Sequence, residues 1–161
     1  MRKSTNKRST FIFLILIILI TAFIISNSLK NGEESNAQSE PIVEAVEKVF
    51  DPKDKIPTKT FNYVVRKAAH ITEYTLLGLA LGGQEWYVGK LNDKHKRWYI
   101  IATLFTGLAI ASIDEIIQSF TGRTNSVSDV LIDFTGVIIG MGIVLLLWRW
   151  RVNGAKEVKP K

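Results

Sequence analysis

The chain has 161 residues, of which 47% are hydrophobic, and it contains no cysteine, which excludes disulfides, thiol nucleophiles and cysteine-ligated metals. Long apolar runs in so short a chain argue against an ordinary soluble core and favour a small polytopic membrane protein. The net charge of +6 comes from basic residues at the chain ends and in one short loop beside apolar runs, which indicates membrane topology rather than nucleic-acid binding.

The first predicted element is a membrane-spanning helix over residues 11–29. A basic tail, residues 1–10, precedes an apolar run that is long enough to cross a hydrocarbon core of about 30 Å. Because basic residues flanking a span stay inside, the amino terminus is predicted to be cytoplasmic. A cleaved signal peptide is the alternative, since residues 26–28 loosely resemble a cleavage site. The apolar region exceeds the usual length of about 7 to 15 residues, so we expect a retained anchor.

Residues 30–63 are polar and are predicted to form an external loop. Within this loop, residues 41–50 place apolar side chains at helical spacing, with charged residues largely on the other side. This pattern predicts a short amphipathic helix that lies on the membrane or caps the bundle. Docking of a partner protein is the alternative.

Three further spanning helices are predicted over residues 64–83, 98–118 and 129–150. The loop over residues 84–97 has a net positive charge and is predicted to be cytoplasmic, as is the tail over residues 151–161. The loop over residues 119–128 is then external. Tryptophan is enriched at membrane interfaces, and all four map to the cytoplasmic boundary: Trp86, Trp98, Trp148 and Trp150. The predicted fold is all-α, a four-helix transmembrane bundle with a short external amphipathic helix.

Small residues recur at four-residue spacing on the second, third and fourth predicted spans. They are Gly78 and Gly82, then Thr103, Gly107 and Ala111, then Gly136 and Gly140. In lipid, such stripes let helix backbones approach closely. The stripes continue into polar residues, so the packed faces are predicted to carry the polar groups.

Polar residues accumulate in the outward halves of these three spans. A charge at a helix centre costs roughly 2.5 to 3.5 kcal/mol on insertion scales, so it persists when something pairs with it or uses it. From the helix rise, Glu73, Asp114 and Asp133 each lie roughly 6 to 14 Å below the outer ends and can meet. The candidate ligand-binding residues are Lys67, His70, Glu73, Tyr74, Asp114, Glu115, Gln118, Arg123, Asp129 and Asp133.

His70 and Glu73 are one helical turn apart and could act as an acid–base pair, because histidine titrates near neutrality. A hydrogen-bonded strut between helices is the alternative. Asp114 and Glu115 are adjacent and point about 100° apart. We therefore expect one to face the histidine, while the other pairs with Arg123 or with the lysine a turn above the histidine. The candidates for any catalytic role are His70, Glu73, Asp114 and Glu115.

The predicted loop between the third and fourth spans contains Arg123. Its planar guanidinium could bind a carboxylate of the cluster or a phosphate of a lipid headgroup. Ser128 is the predicted N-cap of the fourth span, and Asp129 would favour the positive helix start.

A divalent metal is conceivable, because His70, Glu73, Asp114 and Asp133 offer nitrogen and oxygen ligands. With one histidine in the cluster and no established ligand spacing, the sequence does not predict a metal site, and the cofactor stays unknown.

Two segments, KAAHITEYTLLG and DEIIQSFTGRTNSVSDVLIDFTG, resemble the VanZ-like family of small bacterial membrane proteins over about residues 64–142. The family pattern has H-x-x-E-Y, then D-E-x-x-Q-x-F, an arginine five residues after the glutamine, and D-x-x-x-N/D-x-x-G. The matching residues are His70, Glu73, Tyr74, Asp114, Glu115, Gln118, Phe120, Arg123, Asp129, Asp133 and Gly136. Asp133 stands where asparagine is common in the family.

The resemblance implies an integral membrane protein of the cell envelope. The family's named member is linked to resistance to teicoplanin and related lipoglycopeptides, which bind lipid-linked cell-wall precursors at the outer membrane surface. We therefore expect the outward-facing polar cluster to handle a lipid or lipid-linked precursor headgroup, with membrane lipids as partners. One alternative is an intramembrane enzyme that acts on a lipid phosphate or glycan through His70 and a carboxylate. The other is a structural protein whose polar cluster only joins helices.

Overall fold

The computed structural model describes residues 7–51, 53, 55–92, 94–123 and 126–157. Five helices are present: α1 (Lys7–Ser28), α2 (Gly32–Phe50), α3 (Thr58–Tyr87), α4 (Lys96–Phe120) and α5 (Val127–Glu157), with a 3-10 turn at Lys90–Asn92. Within these described residues there is no strand, which confirms the all-α class. The outer parts of the two predicted cytoplasmic tails, residues 1–6 and 158–161, lie outside them.

Three helices are long and apolar enough to cross a membrane: Arg8–Ser28 in α1, Lys96–Phe120 in α4 and Val127–Gly154 in α5. Many of their large apolar side chains point outward, such as Phe105 at 71% exposed and Leu146 at 69%. A bundle solvated by lipid has this surface. The predicted span within α3 is not confirmed by composition, because the first half of α3 carries several charged residues.

Helix α3 lies at the centre of the bundle and contacts each of the other four helices. It runs parallel to α5, since Lys67 pairs with Asp129 near the start of both helices. Helix α1 runs the other way: the ring of Phe13 lies 5.9 Å from that of Tyr87 at the far end of α3. Helix α4 also opposes α5. The last residues of α1 and α4 therefore meet the first turns of α3 and α5, and we call this the polar end.

Glycines set the close contact between α3 and α5. A Cβ added at Gly136 would lie 2.6 Å from the carbonyl oxygen of Ile71, and one added at Gly78 or Gly140 would also meet backbone atoms of the facing helix. No side chain larger than hydrogen fits at these positions. The prediction that these small residues pack helices together is confirmed, and the packed face leads into the polar end.

The amphipathic helix in the first loop is longer than predicted. It begins at Gly32 rather than residue 41, because Asn31 and Glu34 form a capping box in which each side chain accepts a hydrogen bond from the other's backbone N–H. Pro41 lies inside the helix. Of its apolar face only Val43 is fully buried, whereas Ile42, Val49 and Phe50 are more than half exposed.

The opposite end of the bundle is rich in tryptophan and cations. Lys96 Nζ lies 4.8 Å from the centre of the Trp148 ring, and the Arg151 guanidinium lies 6.0 Å from that of Trp86. The predicted grouping of tryptophans at one end is thus present, at the end away from the acidic residues.

Candidate functional site

All ten residues proposed as ligand-binding gather at the polar end. Two contacts join α3 to α5 there: Lys67 Nζ lies 2.7 Å from Asp129 Oδ1, and His70 Nδ1 lies 3.3 Å from Asp133 Oδ1. Because the helices are parallel and residues three or four apart share a face, the two contacts sit one turn from each other. The lysine pair is about one-fifth exposed, whereas Asp133 is almost completely buried.

Asp114 is the most deeply buried charged residue of the cluster, with no exposed surface. Its Oδ1 accepts a hydrogen bond from the Ser28 hydroxyl, and its Oδ2 accepts one from Gln118 Nε2 at 2.9 Å. The hydroxyl of Tyr74, also fully buried, faces the same carboxylate. The prediction that one of the two adjacent acids turns towards the His70 group is therefore correct for Asp114.

Glu115 takes a different position. Its Oε1 accepts the backbone N–H of Ser126 at 2.6 Å, at the start of α5. Among the described residues it forms no ion pair, so the expected pairing with Arg123 or Lys67 is wrong. The loop instead brings a backbone donor to the carboxylate, which sequence spacing does not reveal. Ser126 also precedes the first helical residue, and its Oγ accepts the Ser128 N–H, so it takes the capping role predicted for Ser128.

Glu73 connects the cluster to the end of α1. Asn27 Nδ2 donates to Glu73 Oε1 at 2.9 Å, and Lys30 Nζ donates both to Asn27 Oδ1 at 3.0 Å and to Gln38 Oε1 of α2 at 2.6 Å. Helices α1, α2 and α3 are therefore joined by one chain of polar contacts. The carboxylate lies close enough to His70 for a direct electrostatic interaction.

A cavity of about 130 Å³ opens beside this chain, between α2, α3 and the loop that follows α4. Its charged lining consists of Arg66, His70, Glu73 and Arg123. His70 and Glu73, the predicted acid–base pair, therefore line the same cavity as Arg123, which is predicted to bind an anion. A larger cavity of about 350 Å³ between α4 and α5 has a single charged residue, Glu115, and a mainly apolar wall.

Arg66 and Arg123 form the cationic side of the smaller cavity. Neither makes an ion pair with a carboxylate in the described parts of the chain. The Nε of Arg123 is buried without a hydrogen-bond partner there, and Arg66 reaches only Asn36 Oδ1, at 3.5 Å. Desolvation lowers the pKa of the Arg123 guanidinium, and the charge of Arg66 lowers it further. A guanidinium stays protonated at neutral pH, so two positive charges face each other across the cavity.

One group of side chains has the donor atoms of a metal site. His70, Asp114 and Asp133 each offer one ligand atom, and these three atoms lie within 4.8 Å of one another. Two of the three residues are buried. Glu73, the fourth donor considered from the sequence, is not part of this group and is held by Asn27 instead.

Sequence reasoning missed three contributors to the site: Asn27, Ser28 and Arg66. The first two end an apolar run, where polar residues mark a helix end without showing which neighbour they contact. Arg66 directly precedes Lys67 in the polar start of α3, and only the position of α2 reveals that it faces the cavity. All three are polar residues beside a transmembrane stretch, and this was the sequence signal that could have identified them as part of the site.

The comparisons with known proteins bear on the whole bundle. The family model described as VanZ/LLP1 matches residues 13–148, which include all five helices in whole or in part and every residue of the polar end. No curated protein and no solved structure matches the chain. The family match covers most of the sequence and agrees with the motifs at the polar end, and together with the apolar helices it indicates a membrane protein. The chain therefore belongs to the VanZ/LLP1 family.

Proposed function

We propose that this membrane protein binds the phosphate-bearing headgroup of a lipid or lipid-linked envelope precursor in the cavity beside Arg66 and Arg123. One observation carries the proposal: both guanidiniums face the same cavity, and neither pairs with a carboxylate among the described residues. Like charges held close together repel, and an anion between them removes the repulsion. The planar fork of arginine matches two phosphate oxygens at once.

The proposal includes a four-span topology with the polar end outside. Helix α3 runs parallel to α5 with backbone against backbone at Gly136 and Gly140, so a membrane crossed by α5 also contains α3. The polar residues Lys67, His70 and Glu73 of α3 contact its neighbours and lower its average hydropathy, so that these groups are not fully exposed to lipid. The basic loop around Lys94 and Lys96 lies at the other end and belongs inside, with both chain termini.

Helix α2 supports a cavity at headgroup depth. Its Ser35, Gln38 and Ser39 line the cavity, while Val49 and Phe50 present apolar side chains outward. An amphipathic helix with this exposure lies in the membrane interface. The headgroup layer is where a phosphate attached to a lipid is found.

Chemical turnover of the bound lipid is the second candidate function. His70 lines the cavity and lies 3.3 Å from Asp133, so a carboxylate orients an imidazole that a ligand could reach. A purely structural cluster is less consistent with the cavity, since it leaves both arginines without a role. The predicted Glu115–Arg123 ion pair, on which that alternative partly rests, is not formed.

The test is retention of a defined lipid by the purified full chain. Protein in nanodiscs is incubated with polyprenyl phosphate or with polyprenol of equal chain length, and bound lipid is counted by native mass spectrometry. We expect binding that requires the phosphate. Replacing one charged hydrogen-bond donor costs about 1.5 to 3 kcal/mol, so Arg66→Gln or Arg123→Gln should weaken binding roughly tenfold or more.

Arg97→Gln is the matched control, because Arg97 lies at the opposite end beside the Trp98 ring. Equal retention of the phosphate and the alcohol, or equal binding by the Arg66 and Arg97 variants, would contradict the proposal. Release of phosphate or a shortened glycan from the bound lipid, lost in His70→Gln, would favour the enzyme over a binding protein.

Cellular sensitivity to teicoplanin provides a second measurement. If the protein handles lipid-linked precursors, its expression changes the concentration of teicoplanin that inhibits growth. Arg66→Gln and Arg123→Gln should remove that change at equal protein levels, and Arg97→Gln should preserve it.

A further inference from the structure

From the arrangement of donors behind the cavity, we infer that His70, Asp114 and Asp133 bind one divalent cation of the Zn²⁺ or Mn²⁺ type. The site goes beyond headgroup binding and does not use the two arginines. Three protein donors leave coordination positions free for water or a ligand oxygen. His70 belongs both to this site and to the cavity wall, so a cation here adjoins the space proposed for the anion.

The spacing of the donors suits such an ion. All three donor atoms lie within 4.8 Å of each other, and His70 Nδ1 lies 3.3 Å from Asp133 Oδ1. With metal–ligand distances of about 2.0 to 2.2 Å, the donors of a tetrahedral site are about 3.3 to 3.6 Å apart. In an octahedral site, neighbouring donors are about 3 Å apart and opposite donors about 4 to 4.4 Å apart. The donors therefore need only small side-chain shifts to close around an ion. One nitrogen and two oxygens suit Zn²⁺ and Mn²⁺.

Charge balance also favours a bound cation. Asp114 and Asp133 are 0% and 2% exposed, and Glu73 adds a third carboxylate close by. The nearest ammonium group, that of Lys67, is paired with Asp129. When both aspartates are ionised, even a protonated His70 leaves them with excess negative charge in a region of low dielectric. A divalent cation removes that excess in one step.

The buried hydroxyl of Tyr74 is a further observation at the same place. Its side chain is fully buried, its hydroxyl faces Asp114, and within the described residues that hydroxyl completes no hydrogen bond of ordinary geometry. A buried polar atom without a partner costs about 1 to 3 kcal/mol. A water molecule bound to the cation would give the Tyr74 hydroxyl a hydrogen-bond partner. A carboxylate that rotates to bind the cation would do the same. Conserved outer donors of this kind hold the ligands of metal sites in place.

The experiment uses the full chain with an affinity tag that lacks histidine, treated with EDTA and transferred to nanodiscs. Mn²⁺ is added alone, and free ion is measured by electron paramagnetic resonance; Zn²⁺ is titrated by calorimetry. We expect one ion per chain. His70→Gln and Asp133→Asn should each weaken binding roughly tenfold or more, and the double variant should lose it.

Glu44→Gln is the matched control, since it removes an exposed acid of α2 that is outside the donor group. It should bind like the parent. Arg123→Gln should also keep its ion, because Arg123 is outside the donor group. A parent chain that binds the ion but retains no phosphate lipid would reject headgroup binding alone. Monodisperse gel filtration and helical circular dichroism identify the variants that fold.

A spectroscopic measurement needs no variant. Electron spin echo modulation of bound Mn²⁺ should show coupling to the nitrogen of one imidazole. The inference is overturned if the parent chain binds neither ion stoichiometrically, if bound Mn²⁺ shows no nitrogen coupling, or if Asp133→Asn binds as tightly as Glu44→Gln.

Discussion

Lys67 Nζ and Asp129 Oδ1 lie 2.7 Å apart across two parallel helices, one turn from the contact between His70 and Asp133. Two charged contacts in succession join α3 to α5 beside the two donors that these helices carry, His70 and Asp133. Lys67 and Asp129 are each about one-fifth exposed, whereas His70 is less exposed and Asp133 is almost completely buried. Their contributions to stability should therefore differ.

Replacing Lys67 by Met leaves the partly buried Asp129 without a partner. We expect a loss of roughly 1 to 2 kcal/mol in the free energy of unfolding, between the values for exposed and buried pairs. Thermal unfolding in detergent measures it. The swapped pair Lys67→Asp with Asp129→Lys should recover part of the loss, and Glu44→Gln, an exposed position, should show none. Equal stability of Lys67→Met and the parent would show that the pair contributes nothing.

Gly140 lies where α3 and α5 approach most closely. An added Cβ would be 2.7 Å from the backbone nitrogen of Leu79, so Gly140→Ala forces the helices apart. Overpacking of this kind costs roughly 1 to 3 kcal/mol. Gly142, two residues further on, has nothing within 4 Å of such a Cβ, and Gly142→Ala should stay within about 0.5 kcal/mol of the parent. Unfolding of the two variants side by side checks the contact, which is disproved if they unfold alike.

Ser28 donates its hydroxyl to the fully buried Asp114. Ser28→Ala should lower the free energy of unfolding by roughly 1 to 3 kcal/mol, because the carboxylate keeps its burial and loses a donor. Ser112, whose hydroxyl bonds only to the Leu108 carbonyl of its own helix, gives the matched control in Ser112→Ala. A larger effect at Ser112 than at Ser28 would contradict the assigned role.

The number of spans can be decided by labelling, because the chain contains no cysteine. Glu44→Cys places one thiol at an exposed position before α3 in the chain, and Lys94→Cys places one at an exposed position after it. With four spans, a membrane-impermeant maleimide added to intact cells should label position 44 and reach position 94 only after permeabilisation. If α3 does not cross, both positions lie on the same side and label alike.

The helices could be predicted from the sequence because lipid imposes long apolar runs and places basic residues on one side. The glycine stripes predicted the packed faces, and the polar ends of the spans identified residues such as His70 and Asp133. The start of α2 was missed because the prediction followed the apolar helical spacing, which begins just after residue 41, whereas residues 32–40 are mostly polar. The capping box at Asn31 extends the helix instead, and so brings Gln38 to the cavity.

The partners within the site could not be predicted. From the sequence, either Asp114 or Glu115 could face His70, because the two acids are adjacent. Which one does so depends on the rotation of α4 about its own axis. Loop geometry then gave Glu115 a backbone donor and left Arg123 facing the cavity. Sequence spacing along one helix holds no information about the rotation of another, so contacts between helices had to come from the structure.

The bond between Ser28 and Asp114 joins residues 86 positions apart in the chain. At a synthesis rate of about 5 to 20 residues per second, the acceptor is made roughly 4 to 17 seconds after its donor. During that interval the end of α1 has no carboxylate to bind, and once α4 emerges its acid cannot enter lipid at low cost until α1 is beside it. The bond between Ser28 and Asp114 therefore makes the insertion of α4 depend on α1: a chain that lacks α1 leaves this aspartate without its hydroxyl donor.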